Sequence, residues 1–258
     1  MTVLQRGERM LPHFDAELVG WLMEKFREIG VESRTQNAVT AVERSGQEYR
    51  VRTQTPQGEG VVDTDLVVHA AGRVPDIDEL NLPAANVAVE AGRLRLNDHL
   101  QSVSNPVVYA AGDAAAKGPP LTPVSSHDAK IAVANILEGN RHRPDYRGVP
   151  SEAFTLPPIA TVGLSEAAAR QQTPNVYVKS ARVPDWYTAR RVGESVYGYK
   201  TLVEEGSGRV LGAHLVGPHA DEVINLFGLA IRHDLTIDDL KSTIFAYPTG
   251  ASDIGYML

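Results

Sequence analysis

At 258 residues the chain can hold one or two ordinary domains, or a discontinuous assembly of smaller ones. With 43% hydrophobic and 22% charged residues it is globular, not a disordered tail, a coiled coil or a collagen. Twenty-five Lys and Arg stand against 32 Asp and Glu, so a net charge of -7 offers no surplus of cations to displace counterions from a phosphate backbone, and no nucleic-acid partner is expected. No apolar run approaches the roughly 20 residues that cross a bilayer, and the first residues lack the apolar core of a signal peptide, which predicts a cytoplasmic protein with no membrane partner. The absence of cysteine excludes a disulfide framework, a thiolate zinc site, a Cys nucleophile and an iron-sulfur cluster carried by this chain.

Thr2-Val3-Leu4-Gln5 reads as a strand, followed by a turn at Arg6-Gly7-Glu8-Arg9. Asp15 is a good N-cap for a helix whose apolar face is Leu18, Leu22, Phe26 and Ile29 and which Gly30 can end. Val39 to Val42, Tyr49 to Arg52 and a run after Pro56-Gln57-Gly58 predict a β-meander. The runs Leu66-Val67-Val68-His69-Ala70-Ala71-Gly72 and Val107-Val108-Tyr109-Ala110-Ala111-Gly112-Asp113 are expected to be strands, the first of the buried parallel type. A long helix is predicted from Pro123 to Leu137, stopped by Gly139, and Asn140 to Pro144 reads as a solvated linker. Beyond residue 150 the pattern becomes α+β, with strands at Ile159 to Val162, Asn175 to Val178, Lys200 to Val203 and Val210 to Ala213. A helix follows on Val223, Phe227 and Ala230, and a short one near Thr236 to Leu240.

Small residues at the carboxyl end of a parallel strand let a ligand approach the backbone, which is where doubly wound sheets bind nucleotides. Asp113 is then either an acceptor for sugar-type hydroxyls or a cap or turn residue. Thr122 is placed to cap the long helix with Pro123 as its first residue, and that N-terminus either is an ordinary cap or stabilises a ligand that becomes anionic. Gly206-Ser207-Gly208-Arg209-Val210-Leu211-Gly212 has strand-like flanks and reads as a hairpin turn, not a phosphate loop; no GxGxxG occurs. The eight histidines show no metal-ligand spacing, and no GxSxG elbow is present.

A series of motifs in one order carries a more specific reading: Ala70-Ala71-Gly72-Arg73-Val74-Pro75, Tyr109-Ala110-Ala111-Gly112-Asp113, Leu121-Thr122-Pro123-Val124, Phe154-Thr155 with Pro157-Pro158-Ile159-Ala160-Thr161-Val162-Gly163-Leu164-Ser165-Glu166, and Gly212-Ala213-His214-Leu215-Val216-Gly217. The sequence resembles the C-terminal part of the FAD-dependent pyridine nucleotide-disulfide oxidoreductases, the group of glutathione reductase, dihydrolipoamide dehydrogenase and mercuric reductase. The resemblance implies an α/β plus α+β fold: partial Rossmann-like segments followed by an α+β interface domain. Residues 1-75 would be the latter half of an NAD(P)-binding domain, 76-149 the C-terminal segment of an FAD-binding domain, and 150-258 the dimerisation domain of a homodimer.

By the same likeness Gly112 and Asp113 contact FAD, Asp113 at its ribityl chain, and Leu121, Thr122, Pro123 and Val124 lie beside its isoalloxazine. Gly72 and Arg73 fall in the dinucleotide segment. NAD-preferring sites commonly place an acidic residue after the second strand, whereas Arg6 and Arg9 offer guanidiniums suited to a 2′-phosphate; NADP is preferred, with surface turn charges as the other reading.

Two departures stand out. The family's N-terminal portion, with its FAD-binding GxGxxG and redox-active cysteine pair, is not found in these residues. Where the family has His-Pro-Thr-x-x-Glu, acting as acid and base for thiol chemistry in the partner subunit, this chain has Tyr247-Pro248-Thr249-Gly250-Ala251-Ser252, with Asp253 one position late. A phenol titrating near pH 10 is a poor base for a thiol, so Tyr247 either donates a hydrogen bond to an oxyanion or packs. The expectation is the C-terminal part of an oxidoreductase passing hydride from NADPH through FAD to a small-molecule electron acceptor other than a conventional disulfide. The alternative is a non-catalytic homodimerisation module that binds no flavin by itself.

Overall fold

The computed structural model describes residues 1–115 and 117–258, with every side chain among them except that of Ser45. Met1–Val68 with Arg147–Leu258 form one compact unit, and His69–Tyr146 form a second.

The first unit begins with β1 (Thr2–Leu4), α1 (Ala16–Glu28) and β2 (Glu32–Arg34); β1 and β2 pair in parallel. Asp15 caps α1 as its sequence position predicts, its Oδ1 accepting from the amides of Glu17 at 3.0 Å and Leu18 at 3.3 Å. Leu18, Val19 and Leu22 are buried, whereas Ile29 lies just past the helix end and is exposed. β3 (Ala38–Ser45), β4 (Glu48–Thr55) and β5 (Gly58–Thr64) form the expected antiparallel meander.

The run at 66–72, expected to be a buried strand, has no regular structure, and Val68 is 78% exposed. A parallel strand needs a neighbour running the same way and cover on both faces, and among the described residues none is supplied. The run at 107–113 is not a strand either. It makes one isolated antiparallel bridge, Tyr109 to Gln101, and Val107 is exposed.

Residues 69–72 and 107–113 belong to the second unit, which also contains the hairpin of β6 (Val89–Glu90) and β7 (Arg93–Leu94), and α2 (Thr122–Glu138). Its small core is Val87, Leu94, Leu96 and Ala115. The stretch read as a solvated linker is irregular but held. Buried Asn135 on α2 donates to the carbonyls of His99 at 3.0 Å and His142 at 2.9 Å, and accepts from the amides of Arg141 at 3.1 Å and His142 at 2.9 Å.

The chain then returns to the first unit with β8 (Ser151–Ala153), β9 (Ile159–Gly163), α3 (Glu166–Gln172), β10 (Val176–Arg182), α4 (Tyr187–Arg190), β11 (Gly198–Glu204) and β12 (Val210–Val216). These strands form an antiparallel sheet in the order β10-β11-β12-β9-β8. The glycines of 206–208 make the β11–β12 turn, with Gly206 and Gly208 at positive φ, so the hairpin reading holds. α5 (Ala220–Arg232), α6 (Ile237–Ser242) and α7 (Ile254–Met257) complete the unit.

Strand alternation gives the sheet two covered faces. Ala160, Val162, Tyr199, Ala213 and Leu215 pack with Phe227, Ile224 and Val223 of α5 in the larger core. On the opposite face Ile159, Val196 and Val216 meet Leu18, Val19 and Leu22 of α1, which carries the N-terminal segment onto the C-terminal sheet. No helix among the described residues is long and apolar enough to cross a membrane.

Candidate functional site

In the second unit, the Gly112 turn lies directly against the first turn of α2. Gly112 has φ +74°, and a Cβ there would collide with the Ser125 hydroxyl, so this position admits only glycine without rearrangement. Asp113, the next residue, is exposed and makes no hydrogen bond or ion pair among the described residues. α2 starts one residue earlier than a Thr122 cap would require. Leu121 is its N-cap, Thr122 and Pro123 are exposed, and no side chain caps the first amides. Leu121 has no oxygen to offer, so the expected Thr122 cap is replaced by an open N-terminus, which favours an electron-rich ligand group. Val124 is buried beneath it.

Deeper on α2, sequence reading missed Asp128. It is 1% exposed and its Oδ1 accepts from the Tyr146 hydroxyl at 3.0 Å, with His127 Nδ1 at 3.2 Å. Burial, and then that hydrogen bond, push the Tyr146 phenol well above its ordinary range. A carboxylate at helical spacing from the apolar Val124 and Ala132 was the available signal.

In the first unit, Arg6 and Arg9 lie between β1 and α1. The Gly7 amide donates to Gln5 Oε1 at 3.2 Å and the Gln36 amide to the Gly7 carbonyl at 2.8 Å, so the backbone of this loop is fixed. Arg6 is exposed, while Arg9 is half-buried and already donates to the Pro12 carbonyl. A guanidinium has five donors, so Arg9 keeps capacity for a second acceptor. Gly72 and Arg73 belong to the other unit; both are exposed, and Gly72 has φ +97°.

The C-terminal motif is ordered by its own hydrogen bonds. Thr249 and Ser252 form a reciprocal capping box over the turn Gly250–Asp253, the Ser252 amide donating to Thr249 Oγ1 at 3.3 Å and the Thr249 amide to Ser252 Oγ at 3.2 Å. Asp253 is equally engaged: its Oδ2 accepts from Thr188 at 2.6 Å and from the Tyr197 hydroxyl at 2.8 Å. Tyr247 is 81% exposed, so the packing role weighed for it is not met within its own chain.

A family description for pyridine nucleotide-disulphide oxidoreductases matches residues 1–129, and the dimerisation domain of the same family matches residues 149–257. The chain belongs to the pyridine nucleotide-disulphide oxidoreductase family and contains its dimerisation domain. An "uncharacterized 19.7 kDa protein in mercuric resistance operon" of Staphylococcus aureus is 46% identical over 180 residues, 69% of this chain and 100% of that one. The Staphylococcus aureus mercuric reductase is 33% identical over 257 residues, covering 98% of this chain and 46% of the reductase. The Bacillus subtilis dihydrolipoyl dehydrogenase is 29% identical over 252 residues, 96% of this chain and 53% of the relative. The chain thus spans about half the length of these two enzymes. Among solved structures, the HOCl-induced flavoprotein disulfide reductase RclA from Escherichia coli superposes with a TM-score of 0.87 at 23% identity. That match covers 99% of this chain and 58% of RclA, a likeness of fold.

Proposed function

We propose that this chain is the C-terminal part of a flavin-dependent NAD(P)H oxidoreductase that passes hydride from NADPH through FAD to a small-molecule acceptor other than a conventional disulfide. Residues 1-75 supply the latter half of the NAD(P) domain, 76-149 the C-terminal FAD segment, and 150-258 the surface of a homodimer. FAD supplies the electron-carrying chemistry when bound. The residues present fit it: the exposed carboxylate of Asp113 suits sugar-type hydroxyls, Gly112 gives the backbone close approach, and the uncapped start of α2 at Leu121, Thr122, Pro123 and Val124 favours negative charge at the ring. Arg6 and Arg9 would serve NADP.

The observation that carries the choice of acceptor is the C-terminal motif. An acid-base relay for thiols needs an imidazole and a free carboxylate, but here a phenol stands at 247, Ser252 is tied into the capping box, and the carboxylate that follows it, Asp253, holds Thr188 and Tyr197. Tyr247 keeps a hydroxyl able to donate to an oxyanion, and its exposure leaves it open to a partner subunit.

The experiment is the visible absorbance of the chain after incubation with excess FAD and desalting. Retention of about one flavin per chain supports the site; a colourless chain rejects it. Flavin-loaded protein is then supplied with NADPH and either a quinone or glutathione disulfide. Efficient disulfide reduction that disappears in Tyr247→Phe would overturn the assignment of acceptor.

A further inference from the structure

The loop at residues 6–14 is held by the dimerisation sheet as well as by its own short strands. Met10 is buried, and Leu11 and Phe14 pack beside it against the cluster of Leu18, Leu22, Ile159, Val196 and Val216. Immediately after the loop, Asp15 divides its carboxylate: Oδ1 caps α1, and Oδ2 accepts from Lys200 Nζ at 3.0 Å. Lys200 lies on β11 and is 8% exposed, yet it also meets Glu17 at 3.1 Å and Glu166 at 3.6 Å.

Strand register places Lys200 in a polar row across the sheet. Ser180 on β10 stands opposite Lys200, Lys200 opposite His214 on β12, and His214 opposite Thr161 on β9. Ser180 donates to Glu17 at 2.9 Å, and His214 Nδ1 lies 2.6 Å from Thr161 Oγ1. This row runs along the face that α1 covers, bordered by the apolar residues that hold the helix. Leu18 and Leu22 would remain buried if the helix slid or rotated slightly, because apolar contact is not directional. The ion pair is directional: an ammonium at this depth requires its carboxylates, and only one placement of α1 brings both Asp15 and Glu17 to it.

We propose that Lys200, in the dimerisation domain, is a positioning residue for the loop at 6–14. It fixes the register of α1 on the sheet, and with it the direction in which Arg6 and Arg9 present their guanidiniums to a 2′-phosphorylated adenine nucleotide. The nucleotide half of this inference rests on the NADP reading of that loop; the mechanical half does not.

The test uses the full chain as wild type, Lys200→Met, Lys200→Arg and Asp15→Asn. Asparagine also caps helices, so the last variant keeps the cap, removes the charge, and carries the test if Lys200→Met fails to fold. Amide hydrogen exchange is read over residues 6–18, with β3 to β5 as an internal reference. Adenosine 2′,5′-bisphosphate and 5′-AMP are titrated in parallel. Exchange over 6–18 is expected to accelerate about tenfold in Lys200→Met and Asp15→Asn, with β3 to β5 unchanged and Lys200→Arg largely restored. Affinity for the bisphosphate should fall several-fold while that for 5′-AMP holds. Unchanged exchange over 6–18, or a loss spread equally over β3 to β5, overturns the positioning role. A wild type without preference for the bisphosphate overturns the NADP reading and the nucleotide half, while exchange still decides whether Lys200 holds the loop.

Discussion

The Tyr197 hydroxyl donates to Asp253 Oδ2 across 2.8 Å, joining the last turns of the chain to the residue that precedes β11. Thr188 donates to the same oxygen at 2.6 Å, and both donors are nearly inaccessible to water. Burial first, and then the nearby carboxylate, drive the Tyr197 phenol far above its ordinary range, so it remains a donor at any working pH. The carboxylate displaced by one position from the family's glutamate is therefore an anchor of the fold.

Asp253→Ala should destabilise the chain by about 2–4 kcal/mol, because it leaves two buried hydroxyls without an acceptor. Ser252→Ala removes only a capping interaction and should cost about 1 kcal/mol. Urea unfolding of the two variants makes the comparison, and equal losses would contradict the anchoring role of Asp253.

A second prediction concerns the seam between α1 and β11. A Cβ at Gly198 would strike the Trp21 ring and lie 3.1 Å from the Ala181 carbonyl. Gly198→Ala should cost about 1–3 kcal/mol by overpacking, with a change in tryptophan emission. In a Trp21→Leu background the penalty should shrink, giving a coupling energy in a double-mutant cycle. Additive losses would mean that the two residues do not constrain each other.

The helix α1, its Asp15 cap, the meander and the α+β layout after residue 150 were legible because each rests on local periodicity and capping chemistry. The runs at 66–72 and 107–113 misled because a buried strand depends on neighbours elsewhere, which an apolar run cannot display. As local structure, the turn at Gly112 and the approximate start of α2 were readable; the absence of a Thr122 cap was not, since it turns on one residue of helix phase. Lys200 and His214 carried a signal that went unused: both are polar at inward positions of strands otherwise rich in Val, Leu and Ala. Their partners lie far away in sequence, so the charge pairing emerges only once α1 is on the sheet.

That polar row makes stability depend on pH at both ends. Burial, the main cause, holds the His214 imidazole below its ordinary value, so the unfolded chain binds a proton that the folded chain does not. Stability should therefore begin to fall as pH drops through about 6.5. Burial alone would depress Lys200, but hydrogen bonds to Asp15 and Glu17 outweigh it and raise the ammonium above its ordinary value. Its contribution is complete below about pH 10.5 and is lost above it. Unfolding midpoints measured from pH 5 to 11 should show both flanks. His214→Asn should flatten the acid flank and Lys200→Met the alkaline one, and flanks unchanged in these variants would assign the pH dependence to other groups.

The last prediction follows from surface left open on the dimerisation domain. Ile244 is 98% exposed, and Phe154, Leu156 and Tyr247 are also largely uncovered, an unfavourable arrangement for a lone chain in water. Burying one such side chain against a second copy contributes roughly 1.5–3 kcal/mol, enough for Ile244 or Phe154 to dominate an interface. Ile244→Asp places a charge where that burial would occur and should weaken self-association at least about tenfold. Because Ile244 touches little of its own chain, the unfolding midpoint of the dilute protein should not move. Sedimentation velocity across a concentration series decides it: a wild-type dimer and a predominantly monomeric variant support the homodimer, whereas a monomer in both cases would place the uncovered apolar residues at some other contact.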